Sequence, residues 1–263
     1  MDVFQLGIAV KPSTLDGDEI GTLTKLAATM TEHGYYFLVI DSETAKQDIS
    51  VNAYERLLEC SDRSLCTPVL TIPVRRGDFY ERFEDFLEVV SGAGRGGVCL
   101  VAGNPAYLDE EERKNHAASM IIKAAEAVRR RAGNCILMVG TERMTKTAVK
   151  ASYLYGASPL ILLSPTTFDE IKKYDTCRGV YTPFYLGASM PAEVLQRLQG
   201  YVARRASGLR FEEAVDHFCL KGGLEEVSNR LAVIQTKGAD LLVGYPLNQN
   251  TNQIELLAKA STF

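Results

Sequence analysis

The chain has 263 residues, of which 46% are hydrophobic and 24% charged, a globular composition that argues against disorder. Its formal net charge of −4 argues against a nucleic-acid binder, which would show a basic stripe. No apolar run is long enough to span a membrane, and the start MDVFQLGIAV lacks the basic opening and long apolar core of a signal peptide, so the expected location is the cytoplasm.

Taken in chain order, Phe4 to Val10 is a short apolar run read as a strand and ended by Lys11-Pro12. Asp18 to Gly34 carries Ile20, Leu23, Leu26, Ala27 and Met30 at helical spacing and closes on glycine. Tyr36 to Ile40 is a second strand, with Asp41-Ser42 at its carboxyl end. A helix over Asn52 to Arg63, a strand over Pro68 to Val74 and a helix over Gly77 to Val90 follow. The phenylalanines of that last helix make one apolar face. A glycine-rich turn, Gly92 to Gly97, leads into a fourth strand ending at Gly103-Asn104-Pro105. One long helix is expected over Glu110 to Arg131.

Cys135 to Val139 reads as strand five, with its helix ending at Gly156. Leu160 to Leu163 is strand six, Thr167 to Tyr174 a short helix and Gly179 to Leu186 strand seven. Helices over Met190 to Arg205 and Phe211 to Leu220 come next, the second an extra amphipathic one, then a helix over Gly223 to Lys237. Asp240 to Gly244 is strand eight and Asn252 to Ala260 the closing helix. Eight strand-then-helix units imply a parallel sheet. Closed on itself, that sheet is a single TIM (β/α)8 barrel of the α/β class, one domain over residues 1–263, with a short extra helix before the last repeat. A doubly wound open sheet is the rival. The six cysteines form no C-x-x-C pair and read as buried small hydrophobes, and the three histidines are scattered without a metal-binding constellation.

In a barrel the active site lies at the carboxyl ends of the strands. That rule selects Lys11, Asp41, Ser42, Thr71, Arg75, Arg76, Gly103, Asn104, Gly140, Thr141, Ser164, Thr182, Tyr185, Tyr245 and Asn248. Asp41 follows the apolar run YFLVI and is either an acid, base or ligand acceptor, or the cap of the next turn. Arg75-Arg76 either clamps an anion or is a solvated pair before a helix. Gly103-Asn104 either admits a ligand close to the backbone or is a plain turn. In CILMVGTERMTKTAVK a strand stops at Gly140, and Thr141, Thr145 and Lys146 stand where a helix could begin. Free N–H groups and the positive dipole end there make an anion site, and an ordinary strand-to-helix turn is the competing reading.

The order of these segments resembles the bacterial-luciferase-like superfamily of FMN- and coenzyme F420-dependent oxidoreductases. The likeness is carried by LGIAVKP, EHGYYFLVIDSE, TPVLTIPVRR, the SGAGRGG turn before strand four, MVGTERMTKTAVKAS and KGADLLVGYP. The resemblance implies a homodimeric TIM-barrel enzyme acting on a small-molecule substrate, nearest to methylenetetrahydromethanopterin reductases. Its cofactor would be coenzyme F420, with FMN as the alternative; a luciferase-like monooxygenase and a non-catalytic flavin-binding relative are the alternative functions. Asp41 and Ser42 would sit near the reacting ring as catalytic residues. Thr71 and Ile72 would back that ring, where many members carry a bulged, non-prolyl cis peptide. Gly103 and Asn104 would flank the ribityl chain, and Gly140, Thr141, Thr145 and Lys146 would hold the phosphate. Two departures stand out. Met144-Thr145-Lys146 replaces a usual Gly-Pro-Lys, and Gly156-Ala157-Ser158-Pro159 replaces an Asp-Gly. An unrelated phosphate-binding barrel such as an aldolase is a further option, for which Lys11 is the one lysine placed to form a Schiff base.

Overall fold

A computed structural model describes residues 4–12, 19–42, 49–60, 66–205, 208–248 and 251–262. Asp18 and residues 61–63, at the outer ends of two expected helices, lie outside them. The first half runs β1 (Gln5–Val10), α1 (Glu19–Glu32), β2 (Phe37–Ile40), α2 (Val51–Cys60), β3 (Thr67–Pro73), α3 (Phe79–Ala93) and β4 (Gly97–Val101). It continues through α4 (Glu110–Lys114), α5 (Ala117–Arg131), β5 (Ile136–Gly140), α6 (Thr145–Tyr155), β6 (Ser158–Leu162), α7 (Thr167–Ile171) and β7 (Gly179–Leu186). The last part is α8 (Ala192–Ala203), α9 (Phe211–Phe218), β8 (Leu220–Gly222), α10 (Leu224–Thr236), β9 (Leu241–Pro246) and α11 (Thr251–Thr262).

Strands β1 to β7 pair in sequence order, all parallel, and β9 closes the ring between β7 and β1. Gln5 pairs with Leu241 on one side of the seam, and Gly179 with the same Leu241 on the other. The result is the closed eight-stranded TIM barrel that the strand-then-helix alternation implies. Side chains alternate along each strand. Ala9, Phe37, Val39, Val69, Cys99, Met138, Leu160, Leu241 and Val243 fill the interior. Their neighbours Ile8, Leu38, Ile40, Leu70, Ile72, Leu100 and Val139 face the helices. Both faces are buried, which is why the strands read as unbroken apolar runs. Burial of each large aliphatic side chain contributes about 1.5–3 kcal/mol.

The glycine-rich turn before β4 has a packing cause. Tyr54 of α2 is fully buried, and its hydroxyl accepts from the Gly97 N–H at 3.0 Å and reaches the Pro68 carbonyl at 3.0 Å. Gly96 has φ +110, and a Cβ there would stand 2.6 Å from that hydroxyl. Glycine is the residue that tolerates both constraints.

Three expectations need correction. The helix expected over Glu110 to Arg131 is two helices, because Asn115 leaves α4 with extended backbone and its side-chain amide donates to the Arg75 carbonyl at 3.1 Å. The expected helix over Phe211 to Leu220 ends at Phe218, and Leu220 begins a ninth, three-residue strand beside Phe184–Leu186 of β7. Peptide bonds among the described residues are all trans, so the cis peptide implied at Thr71-Ile72-Pro73 is absent.

Helices α8 and α9 pack on each other through Val194, Leu198 and Val202 against Ala214, Val215 and Phe218, with Leu247 between them. This satellite core holds the end of α8 above the carboxyl rim of the barrel, where Tyr201, Arg204 and Arg205 join the strand-end residues. Among the described residues, no helix is long and apolar enough to cross a membrane.

Candidate active site

A cavity of about 550 Å³ opens at the carboxyl ends of the strands. That lies within the ~300–1,000 Å³ usual for small-molecule and cofactor sites. Val39, Cys99 and Leu160, the uppermost layer of the barrel interior, form its apolar floor, with Leu162, Tyr181 and Tyr245 on the walls. Five cationic side chains line it, Lys11, Arg75, Arg143, Arg204 and Arg205, against two carboxylates, Asp41 and Glu142. The cavity is therefore positive in a chain whose formal charge is −4.

Asp41 sits one residue beyond β2, its N–H donating to the Val10 carbonyl at 2.8 Å. Burial pushes its carboxyl above the ordinary range, and the charges of Lys11 and Arg205 oppose that rise without cancelling it. Lys11 lies 5.6 Å from the centroid of the Tyr245 ring, a cation–π arrangement at the end of β1. Arg205 is fixed on several sides. Its guanidinium stacks over the Tyr201 ring at 4.2 Å, donates to the Tyr201 carbonyl at 3.3 Å and to Glu142 at 3.0 Å. Glu142 belongs to the loop after β5, so this pair ties the end of α8, which follows β7, to a rim loop two strands away.

The loop from Gly140 to Met144 lines the cavity throughout. The Met144 N–H closes it on the Thr141 carbonyl at 2.7 Å, and Arg143 is held at φ +58. Left-handed backbone at a non-glycine residue costs on the order of 1 kcal/mol and clusters at functional sites. The first N–H groups of α6 beyond it have no intrahelical acceptor. Gly103 has φ +90, and Asn104 accepts from the Ala106 N–H at 3.0 Å, so both shape the turn after β4 while facing the cavity. The loop after β3 is braced by α4, where Glu112 accepts from the Gly77 N–H at 2.7 Å. It presents Arg75 to the cavity, while Arg76 is buried and paired with Asp78 at 2.9 Å.

Of the residues singled out from sequence, the fold brings Lys11, Asp41, Thr71, Arg75, Gly103, Asn104, Gly140, Thr141 and Tyr245 around one cavity. Others lie apart from it. Ser42 is buried beside Asp41 with an unpartnered hydroxyl but does not line the cavity. Ile72 points outward into the layer between barrel and helices. Thr145 donates to Glu170 of α7 at 3.0 Å, and Lys146 is exposed, so neither reaches the cavity. Residues that sequence reasoning missed include Glu142, Arg143, Tyr201, Arg204 and Arg205. The adjacent pair Arg204-Arg205 closing an expected helix was the available signal.

Residues 25–211 match the model of a family described as "Family of unknown function (DUF7388)". The chain is 26% identical over 256 residues to the uncharacterized protein MJ1239 of Methanocaldococcus jannaschii, covering 95% of this chain and 96% of that protein. Solved structures share its fold, among them the following three. An F420-dependent secondary alcohol dehydrogenase in complex with an F420-acetone adduct aligns at TM-score 0.73 with 10% identity, covering 98% of both chains. The coenzyme F420-dependent tetrahydromethanopterin reductase of Methanopyrus kandleri aligns at 0.69 with 12% identity over 97% of both. The oxygenating constituent of 3,6-diketocamphane monooxygenase of Pseudomonas putida, in complex with FMN, aligns at 0.63 with 11% identity over 98% of both.

Proposed function

The chain belongs to the family of unknown function DUF7388, and we propose that it is an oxidoreductase that transfers a hydride between coenzyme F420 and an organic substrate. The observation that carries this reading is the apolar-floored, cation-rimmed cavity at the carboxyl ends of the strands. Enzymes of matching barrel length that use F420 or FMN support it.

The residues fit such a cofactor. Val39, Cys99, Leu160 and Leu162 offer an apolar bed for a flat ring. Thr71, Gly103 and Asn104 flank the path along which a ribityl chain would run. The groups that would hold a phosphate are Thr141, Arg143 and Arg75, whose Nε is buried without a partner, rather than Thr145 and Lys146. When bound, the deazaflavin supplies the carbon that gives or takes the hydride.

The chain's own contribution is placement and proton control. Asp41 holds a proton at its carboxyl more readily than an exposed aspartate, and so can pass it to or take it from a substrate oxygen. Lys11 and Arg205 limit that rise and supply positive charge beside it. Tyr201 and Arg205, tied to Glu142, complete the cavity wall beside these charges.

The test is titration of the purified protein with F420 and with FMN, followed by absorbance. Saturable F420 binding and substrate-dependent oxidation of reduced F420 are expected. Tighter binding of FMN with oxygen consumption would move the protein to the monooxygenases, and binding of neither would end the enzyme reading.

A further inference from the structure

Buried polar groups without partners are rare in folded proteins, and each one needs an explanation. Two of them meet at the end of α8. The Tyr201 hydroxyl and the Arg205 Nε are both buried and unpartnered, and both residues line the cavity. The rest of the Arg205 guanidinium is already immobilised by the Tyr201 ring, the Tyr201 carbonyl and Glu142. The ordering that an arginine usually loses freedom to achieve is thus complete before any ligand arrives. Burial pushes the Tyr201 phenol upward, so it keeps its proton as a donor. Two unpartnered donors on one turn of the cavity wall, one of them on a cation, with Arg204 adjacent, have the chemistry that a planar oxyanion takes. The loop at Gly140–Arg143, assigned above to the cofactor phosphate, is a different part of the cavity wall.

We propose that the substrate is an organic carboxylate whose carboxylate group is received by the Tyr201 hydroxyl and the Arg205 guanidinium, with its apolar body on the cavity floor; this rests on the oxidoreductase reading above. A neutral isostere is disfavoured there, because it leaves one or both donors buried and unpaired. The same oxyanion chemistry could come from the cofactor's own anionic groups, so the two sources are separated experimentally.

The experiment measures, by calorimetry, binding of hexanoate, its neutral counterpart hexanamide and inorganic phosphate to the protein saturated with F420. Wild type is compared with Tyr201→Phe and Arg205→Lys, and the affinity of each protein for F420 is measured alongside. Thermal melting of the ligand-free proteins checks the fold. Tyr201→Phe removes only an unpartnered hydroxyl, so its melting temperature is expected to equal or exceed that of wild type. Hexanoate is expected to bind wild type at least about ten-fold tighter than hexanamide, and both variants to lose that preference while F420 affinity stays within about three-fold. Equal binding of the two probes, no binding of hexanoate to wild type, phosphate binding as tight as hexanoate and weakened alike in both variants, or an unchanged preference in both variants, overturns the proposal. So does absence of hexanoate binding together with a loss of about ten-fold or more in F420 affinity in the variants, which assigns the donors to the cofactor. If neither F420 nor FMN binds, hexanoate is titrated into the cofactor-free protein, and the expected pattern there leaves the carboxylate site standing while the oxidoreductase reading falls.

Discussion

Gly96→Ala is expected to destabilise the barrel by about 2–6 kcal/mol, the sum of two contributions. Alanine at φ +110 is strained by about 1–3 kcal/mol. Its Cβ, 2.6 Å from the Tyr54 hydroxyl, also displaces a group that accepts from the Gly97 N–H at 3.0 Å and reaches the Pro68 carbonyl at 3.0 Å. Leaving buried partners unpaired adds about 1–3 kcal/mol. Tyr54→Phe alone loses the same hydrogen bonds and should cost a similar ~1–3 kcal/mol. In the double variant the phenyl ring carries no oxygen for the new methyl to strike, so the hydrogen-bond loss is counted once. The two changes together should therefore cost about 1–3 kcal/mol less than the sum of the single ones. Urea unfolding followed by circular dichroism gives all four stabilities. Additive effects, or a Gly96→Ala protein within about 0.5 kcal/mol of wild type, would refute the account of this turn.

Asp41→Asn should separate stability from activity. A carboxyl raised in the folded chain contributes stability below its unfolded value near ~3.9 that is lost as pH rises through the folded value, so the variant should melt higher than wild type at neutral pH and gain nothing at acidic pH. Its F420-dependent rate should fall by about 10²-fold or more, measured by F420 absorbance. Arg143→Gly should relieve the left-handed strain and raise the melting temperature, by up to the equivalent of ~1 kcal/mol, while weakening F420 or FMN binding in a titration. Asp240 provides the opposite pH case. Burial pushes its carboxyl up, but hydrogen bonds from the Arg178 side chain at 2.8 and 3.0 Å and from its backbone N–H at 2.9 Å outweigh this and hold it below the ordinary value. Its stabilisation is present above the unfolded value near ~3.9 and is lost as pH falls through the lower folded one, so Asp240→Asn should flatten the acid limb of the melting-temperature profile.

The barrel was readable from sequence because a parallel strand buried on both faces leaves an unbroken apolar run, as in Phe37–Ile40. Strand ends also give the rim, which is why Lys11, Asp41, Thr71, Arg75 and Tyr245 could be named before their neighbours were known. Where the reading failed, a tertiary contact had overruled a local pattern. The helix break at Asn115 depends on a carbonyl forty residues earlier, at Arg75. The Thr145 hydroxyl, well placed in sequence for an anion, turns to Glu170 on the next helix. Strand β8 is only three residues long, and its pairing with β7 has no periodic signature. Tyr201 and Arg205 reach the cavity because the packing of α8 on α9 brings them there, and an amphipathic helix does not announce what lies above its end.

The seam at β9 has a consequence for biosynthesis. The first strand finds its second neighbour only when Leu241–Gly244, far along the chain, has been made. Until then a nascent chain can form at most an arc with raw hydrogen-bonding edges at β1 and β7. Pairing strands so far apart in sequence is slow, and those edges stay open to mispairing in the interval. Removing β9 and α11 should thus turn a barrel into an aggregating ribbon, however sound the other seven barrel strands are.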